Sequence, residues 1–337
     1  MPKLEYIWVG GNGELRSKVK YIDLDVDYTS IDDIPQWNYD GSSTNQAMGY
    51  NSEVLLRPVR VYKDPFSFNN DDRLVLCETY LTDGYPHPTN TRHIANERFK
   101  ELDSDKHKPL FGVEHEFFVY DDNTNKPLGF PSNGYPNPQG QYYCSVGNKN
   151  AFGRTFLYEC LDSAIDAGIK CTGCNLEVCP GQMEIQICNY GINVGDDSIM
   201  LKYILNRMGE KYNYSIDFSA KPIKGDWNGS GCHVNFSTEG TRNENGYGVI
   251  MKYMDKLREN HSEHIKVYGD DNNERLTGNH ETSDINKFTY GIADRGASIR
   301  IPTNTYHDQC GYFEDRRPSS SADMYIVTSK IYKTCIE

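Results

Sequence analysis

The sequence predicts an α+β protein, with a small β-rich domain over residues 1–85 followed by a larger α+β domain over residues 86–337. Three observations predict it. The first 85 residues break into short apolar runs separated by turn residues. Helical periodicity begins only after residue 89 and is then interleaved with strand-like runs. Finally, 25 tyrosines and 29 glycines argue against a helical bundle. A chain of 337 residues buries roughly three quarters of its unfolded surface, enough for a substantial core.

Residues 4–9 form the first apolar run, closed by Gly10-Gly11-Asn12-Gly13, and residues 19–26 alternate after it. Asp40-Gly41-Ser42-Ser43 is a turn with an exposed acid. Residues 54–61 and 74–80 are two further runs of strand length. Pro58 places the first of them at a sheet edge, because proline has no N–H for the ladder. Thr82-Asp83-Gly84-Tyr85-Pro86-His87-Pro88 is polar and rich in Pro and Gly, and reads as a linker. Thr89 and Asn90 then cap a helix carrying Ile94, Arg98, Phe99 and Leu102. Leu157, Cys160, Leu161, Ala164 and Ile165 share one face of a second helix, with Gly168 suited to its C-terminal end. Ser198 reads as the cap of a helix through Met200, Tyr203, Ile204 and Met208. Val249, Ile250, Tyr253, Met254, Leu257 and Ile265 mark another.

Charge narrows the functional classes. Acidic side chains number 48 against 35 basic ones, a formal charge of −13. No basic stripe suited to nucleic acid is present, and anionic membrane surfaces are disfavoured. No run approaches the roughly 18 apolar residues of a membrane span. The start, Met1-Pro2-Lys3-Leu4-Glu5-Tyr6-Ile7-Trp8, lacks the apolar region of a signal peptide, so a cytoplasmic location is expected. Cys171 and Cys174 form a C-x-x-C pair, but Cys179 and Cys188 do not form the second pair of a zinc ribbon. Reduced thiols are expected instead.

Phe111-Gly112-Val113-Glu114-His115-Glu116-Phe117-Phe118-Val119 reads as a buried strand that turns Glu114 and Glu116 to the same face. The alternative is the exposed face of an edge strand. Glu177 through Glu184 reads as a hairpin turning at Pro180-Gly181, which sets Glu177 directly opposite Glu184. Carboxylates about 5 Å apart repel unless one is protonated or a cation lies between them. A hard divalent cation such as Mg²⁺ or Mn²⁺ resolves the conflict. His233, in a glycine-rich approach to a strand, and Glu314 complete a set of five Glu and one His, enough for two metals. Arg275, Arg295, Arg300 and Arg316 lie in apolar surroundings suited to phosphate or carboxylate, or to structural ion pairs. No phosphate-cradling GxxxxGK[ST] loop and no HRD…DFG kinase pair occurs. A nucleotide would therefore be held by metals and arginines on a sheet.

These segments resemble glutamine synthetase of the eukaryotic type (type II). Trp37-Asn38-Tyr39-Asp40-Gly41-Ser42-Ser43-Thr44 resembles the family's W-N-[FY]-D-G-S-S-T loop. Residues 111–116, 175–186, 226–237, 275–283, 295–302 and 311–318 resemble further family signatures, in family order. The resemblance implies a β-grasp-like N-terminal domain (1–85) and a catalytic domain (86–337) with a curved antiparallel sheet flanked by helices. It implies an ATP-dependent glutamate–ammonia ligase that works through γ-glutamyl phosphate and releases ADP and phosphate.

Residue by residue, the resemblance implies that Glu116, Glu177 and Glu184 bind the metal nearer the substrate. Glu114, His233 and Glu314 are implied for the metal nearer ATP, the two metals being Mg²⁺ or Mn²⁺. It implies catalytic roles for Asp40, Glu281 and Arg295, and substrate contacts from Asn228, Gly229, Arg275, Arg295 and Arg316. Glu114, Glu184, Asn235, Phe236, Ser237, Arg295, Arg300 and Tyr312 are implied on the ATP side. Asp40 is implied to act across a subunit interface in a homo-oligomer, a decamer of two stacked pentameric rings. The family's N-terminal helical extension is mostly absent. Leu110 and Met183 stand where aromatic residues are usual, and Asp294 where Asn is usual. A γ-glutamyl-amine ligase and a non-catalytic structural homologue are the alternatives; Asp40 and Glu281, both tied to ammonium handling, favour the ammonia ligase.

Overall fold

The structure is a computed structural model that describes residues 1–22 and 30–337. The chain divides into two compact units, one of residues 1–97 with 162–169 and the other of residues 98–161 with 170–337.

The smaller unit is built on five strands, β1 (Lys3–Val9), β2 (Leu15–Tyr21), β3 (Trp37–Asp40), β4 (Glu53–Lys63) and β5 (Arg73–Tyr80). They lie in the order β2-β1-β5-β4-β3, with β1 and β5 parallel and the other pairs antiparallel, a β-grasp-like sheet. Leu4, Tyr6 and Trp8 alternate along β1 and pack with Tyr39, Val54, Leu56 and Val75 in its core. The alternation expected over 19–26 is strand only as far as Tyr21, and residues 23–26 lie outside the described residues. Contrary to expectation, β4 is not the edge strand, since β3 pairs with it over Glu53 to Leu56. Pro58 lies past the end of that pairing, where the register to β5 also shifts, so its missing N–H costs no regular ladder bond. The segment expected to be a linker is anchored: buried His87 lies 2.7 Å from the Gln46 carbonyl through Nε2 and 2.8 Å from Thr89 Oγ1 through Nδ1. Asn90 caps the helix Thr91–Glu101 by accepting the His93 N–H at 3.0 Å.

The larger unit carries a curved nine-stranded sheet flanked by helices. Its strands are β6 (Leu110–Asp121), β7 (Lys126–Pro127), β8 (Cys171–Leu176), β9 (Gln182–Tyr190), β10 (Tyr214–Asp217), β11 (Cys232–Ser237), β12 (Tyr290–Ile292), β13 (Ile299–Ile301) and β14 (Phe313–Asp315). The main path runs β12-β13-β14-β11-β6-β9-β8, with β7 and β10 also pairing with β6. Within this sheet, only β12 and β13 pair in parallel among the described residues. β6 is therefore central, which removes the edge-strand alternative for Glu114 and Glu116.

Phe111, Val113, His115 and Phe117 are buried on the face of β6 opposite those two acids. Helix Asn193–Tyr212 begins well before Ser198, which corrects the expected cap. The Ser198 hydroxyl instead donates back to the Val194 carbonyl at 2.8 Å inside the helix and lies 3.0 Å from His115 Nε2. Helix Arg154–Ala167 ends where Gly168 takes φ +96°, as expected. Helix Gly246–Glu259 stops before Ile265, which belongs to the short helix His261–Ile265. All ten cysteines are free, and Cys77, Cys160, Cys179, Cys232 and Cys335 are buried.

Candidate active site

Cross-strand register brings the chemistry together. β6 against β11 sets Glu114 opposite His233. β14 against β11 sets Glu314 opposite Asn235, and β13 against β14 sets Arg300 opposite Glu314. On the other side of β6, Glu116 lies opposite Glu184. The result is a cavity of about 410 Å³ walled entirely by the larger unit. Its lining includes all six expected metal-binding side chains, Arg275, Arg295, Arg300, Arg316, Asn228, Gly229 and Glu281.

The expected hairpin register is wrong by two residues. Asn175 faces Glu184 and Leu176 faces Met183, so residues 177–181 form a longer loop. The Glu177 N–H donates to the Gln182 carbonyl, and the Gln182 N–H donates to that of Cys179. A two-residue loop would have required the ladder to continue through Cys179 and Gln182. The repulsion inferred from sequence survives with a different partner, because the carboxylate opposite Glu184 belongs to Glu116.

Glu114, His233 and Glu314 are drawn close, with one ligand atom from each lying within 4.8 Å of the others. His233 Nδ1 is 3.3 Å from Glu114 Oε2 and 3.6 Å from Glu314 Oε1. Burial, and then the neighbouring Arg316, hold the His233 pKa well below the ordinary value, which keeps the imidazole neutral. A neutral imidazole with two carboxylates is a donor set that fits a divalent cation. Glu116, Glu177 and Glu184 each accept hydrogen bonds from amide N–H groups. Glu116 Oε2 accepts from the Gly231 N–H (2.7 Å) and Gln182 Nε2 (3.1 Å). Glu177 Oε1 accepts from Asn175 Nδ2, and Glu184 Oε1 accepts from Gln186 Nε2, both at 2.7 Å.

Burial is the main reason all three of these carboxyls are pushed up, Glu116 to about 7, Glu177 to about 8 and Glu184 to about 9. Neighbouring carboxylates add to the effect, while Arg275 opposes it at Glu116. A cation beside them would let all three ionise; among the described residues, only Glu114, His233 and Glu314 bring one ligand atom each within 4.8 Å of one another. In the unfolded chain Glu116, Glu177 and Glu184 ionise near about 4.3. Between that value and the folded ones the folded state holds more protons, so stability falls as pH rises. Metal-free protein is therefore expected to melt at progressively lower temperature from pH 5 to about 9. Mg²⁺ or Mn²⁺ should raise the melting temperature most at the alkaline end. A melting temperature indifferent to either cation at pH 8 would refute this.

The four arginines fall into three groups. Arg316 pairs with Glu314 at 2.7 Å, and Arg300 also pairs with Glu314. Arg275 is buried and donates to the carbonyls of Arg316 (2.9 Å) and Arg317 (3.2 Å), and burial pushes its pKa down to about 10. Arg295 is half exposed, 3.8 Å from the Glu281 carboxylate.

Five expected site residues do not line this cavity. Asp40 lies on the smaller unit, exposed at the end of β3. The Ser42 and Ser43 hydroxyls, each donating at 2.7 Å, hold its carboxyl below the usual range. Asn235 donates to Glu114 Oε1 at 2.8 Å and so supports a cavity carboxylate. The Phe236 ring is buried against Phe111 and Phe313. Ser237 Oγ accepts from Arg242 at 2.8 Å, and Tyr312 is partly exposed.

Conversely, Gln139, Tyr143, Asn175, Gln186 and His280 line the cavity without having been anticipated. Asn175 and Gln186 stand two residues from Glu177 and Glu184, so strand periodicity could have indicated Gln186 in β9. Gln139 and Tyr143 lie in an aperiodic stretch that carries no such signal.

A family model described as glutamine synthetase, catalytic domain, matches residues 88–252. A protein of Acanthamoeba polyphaga mimivirus is 50% identical over 337 residues, covering 99% of this chain and 94% of that one. A glutamine synthetase cytosolic isozyme of Medicago sativa is 48% identical over 334 residues, covering 98% and 93%. The cryo-electron-microscopy structure of Plasmodium falciparum glutamine synthetase shares the fold, with a TM-score of 0.78 at 15% identity, over 99% of this chain and 71% of that one. Near-half identity along almost the full length of both sequences leaves no room for a resemblance limited to motifs, and this chain belongs to the glutamine synthetase family.

Proposed function

We propose that the chain joins glutamate and ammonia into glutamine at the expense of ATP, through γ-glutamyl phosphate. The observation that carries this reading is one cavity uniting two acidic donor sets with four arginines and Glu281. A carboxylate is a poor acyl donor. Its γ-oxygen first attacks the γ-phosphorus of ATP, the bond to the bridging oxygen breaks, and ADP leaves. Arg295 and Arg300 neutralise charge on the transferred phosphoryl group. Arg275 and Arg316 hold the glutamate carboxylates, against the Asn228–Gly229 segment. Ammonium then loses a proton beside Asp40 and Glu281, and ammonia attacks the acyl carbon to expel phosphate.

Glu116, Glu177 and Glu184 would hold one divalent cation, and Glu114, His233 and Glu314 a second, Mg²⁺ or Mn²⁺ in each case. Such cations, when bound, supply positive charge to the phosphate oxygens. On the nucleotide side, Glu114 and Glu184 join Asn235, Phe236, Ser237 and Tyr312. Residues 1–85 form the N-terminal domain in this reading and 86–337 the catalytic domain. The last β-grasp strand, β5, ends at Tyr80, just before that boundary.

Asp40 reaches the site from a neighbouring subunit of a homo-oligomer, a decamer of two stacked rings. The exposure of its carboxylate at the end of β3 supports this. A cytoplasmic location accords with the cytosolic isozyme name of the Medicago sativa relative. Among the described residues, no helix is long and apolar enough to cross a membrane.

Purified protein is expected to release phosphate and form glutamine in equal amounts only when glutamate, ammonium, ATP and Mg²⁺ or Mn²⁺ are all present. Phosphate release undiminished without ammonium, or with another amine in its place, would overturn this assignment.

A further inference from the structure

Residues 277–284 form a flap-like loop whose two ends are pinned together. Thr277 bridges Asp284, the Ile285 N–H donates to the Leu276 carbonyl at 3.1 Å, and the Thr282 hydroxyl donates to the Asn279 carbonyl at 2.7 Å. At its tip His280 and Glu281 both take left-handed backbone, with φ of +53° and +58°. Two consecutive non-glycine residues hold that conformation only when contacts beyond the loop oblige them to.

Such contacts are present on both sides. His280 Nε2 is 2.9 Å from Asp226 Oδ1, and Nδ1 is 3.1 Å from Gln139 Nε2. Gln139 Oε1 in turn accepts the Asn228 N–H at 2.7 Å. One proton arrangement satisfies all three bonds: a neutral imidazole donating to Asp226 and accepting from the Gln139 amide. On the inner side, the Glu281 carbonyl accepts from Arg316 Nη2 at 3.2 Å.

We infer that His280, acting through Gln139 and Asp226, is a positioning residue that latches the flap shut against the Asn228–Gly229 segment. The inference rests on the ligase reading above. Gln139 ties the flap tip to the backbone assigned there to the amino-acid substrate, so glutamate occupancy and flap closure depend on one shared side chain. With the latch broken, water reaches γ-glutamyl phosphate and attacks the acyl carbon. The carbon–oxygen bond to phosphate then breaks, phosphate leaves, and glutamate is regenerated. ATP is consumed without glutamine.

The first measurement is phosphate released per glutamine formed by the full chain. The ratio is expected near unity for the natural sequence and several-fold higher for His280→Ala and for Gln139→Ala. His280→Gln keeps one donor and one acceptor, and should bring the ratio back toward unity. Unit ratios in both alanine variants would overturn the latch. The second measurement, amide hydrogen exchange over residues 277–284, reads the latch without catalysis. Exchange should quicken in His280→Ala and slow again in His280→Gln; exchange unchanged by His280→Ala overturns the latch even if the natural chain proves unable to make glutamine. Failure of the natural chain to make glutamine would count against the ligase reading alone.

Discussion

Replacing Glu184 with glutamine is expected to lower glutamine formation roughly 100-fold or more, since loss even of outer partners of a metal ligand costs about 10–100-fold. Glu184 is 5% exposed, opposite Glu116, and takes one hydrogen bond from Gln186. The substitution keeps its shape and removes one carboxylate from the proposed substrate-side donor set. Stability should move the other way. Burial pushes the Glu184 carboxyl up to about 9, so at pH 8 the metal-free protein already carries it mostly neutral. A neutral amide also removes the residual cost of ionising it there, so metal-free Glu184→Gln should melt no lower than the natural chain. Activity loss with undiminished thermal stability separates a missing ligand from misfolding. Activity within a few-fold of the natural protein at low Mg²⁺ would remove Glu184 from the donor set.

Arg317→Met is expected to destabilise the larger unit by roughly 3–5 kcal/mol, the cost of breaking a buried ion pair from one side. Arg317 and Asp315 are both fully buried, joined through Nε–Oδ1 at 2.9 Å and Nη2–Oδ2 at 2.7 Å. Tyr268 donates a further bond to Asp315 at 2.7 Å, and the guanidinium lies 5.1 Å and 5.2 Å from the ring centres of Tyr268 and Phe288. Burial alone would push Asp315 up, but Arg317 and these hydrogen bonds outweigh it and hold the carboxyl below its usual value. Without Arg317, Asp315 keeps a charge with no compensation. Arg317→Met combined with Asp315→Asn should recover part of the loss, because the asparagine carbonyl still accepts from Tyr268 and carries no charge. Urea unfolding of both variants decides the matter. A single-variant cost below about 1 kcal/mol, the level of an exposed pair, would show the pair to be solvated.

The segment from the end of β14 through Arg317 explains why some of this was legible and some not. Along Glu314-Asp315-Arg316-Arg317, alternation sends Glu314 and Arg316 into the cavity and Asp315 and Arg317 into the core. That alternation is local, so the sequence could identify Glu314 and Arg316 as neighbours. What Asp315 and Arg317 meet is supplied by residues 261–288, and no spacing within the segment encodes it. The 177–184 hairpin failed for a related reason. Pro180-Gly181 marks a turn correctly, but the loop length follows from how β8 and β9 sit in the whole sheet. Ser198 looked like a cap because serine favours that place. In the structure its hydroxyl returns to the helix backbone and meets His115 from β6, which sequence spacing cannot reveal.

By itself, the sequence determined the α+β class, the shared face of Glu114 and Glu116, the identity of the acids and arginines, and the family resemblance. These depend on side-chain type and on backbone periodicity, which act within a few residues. Only the tertiary structure decided that Glu116 opposes Glu184, that Arg317 meets Tyr268 and Phe288, and that Gln139 meets His280. Those outcomes come from strand register and from burial, which are set when distant segments pack. Burial, in turn, is what moves the pKa values on which the site depends, because a carboxylate is costly only once water has been taken from it.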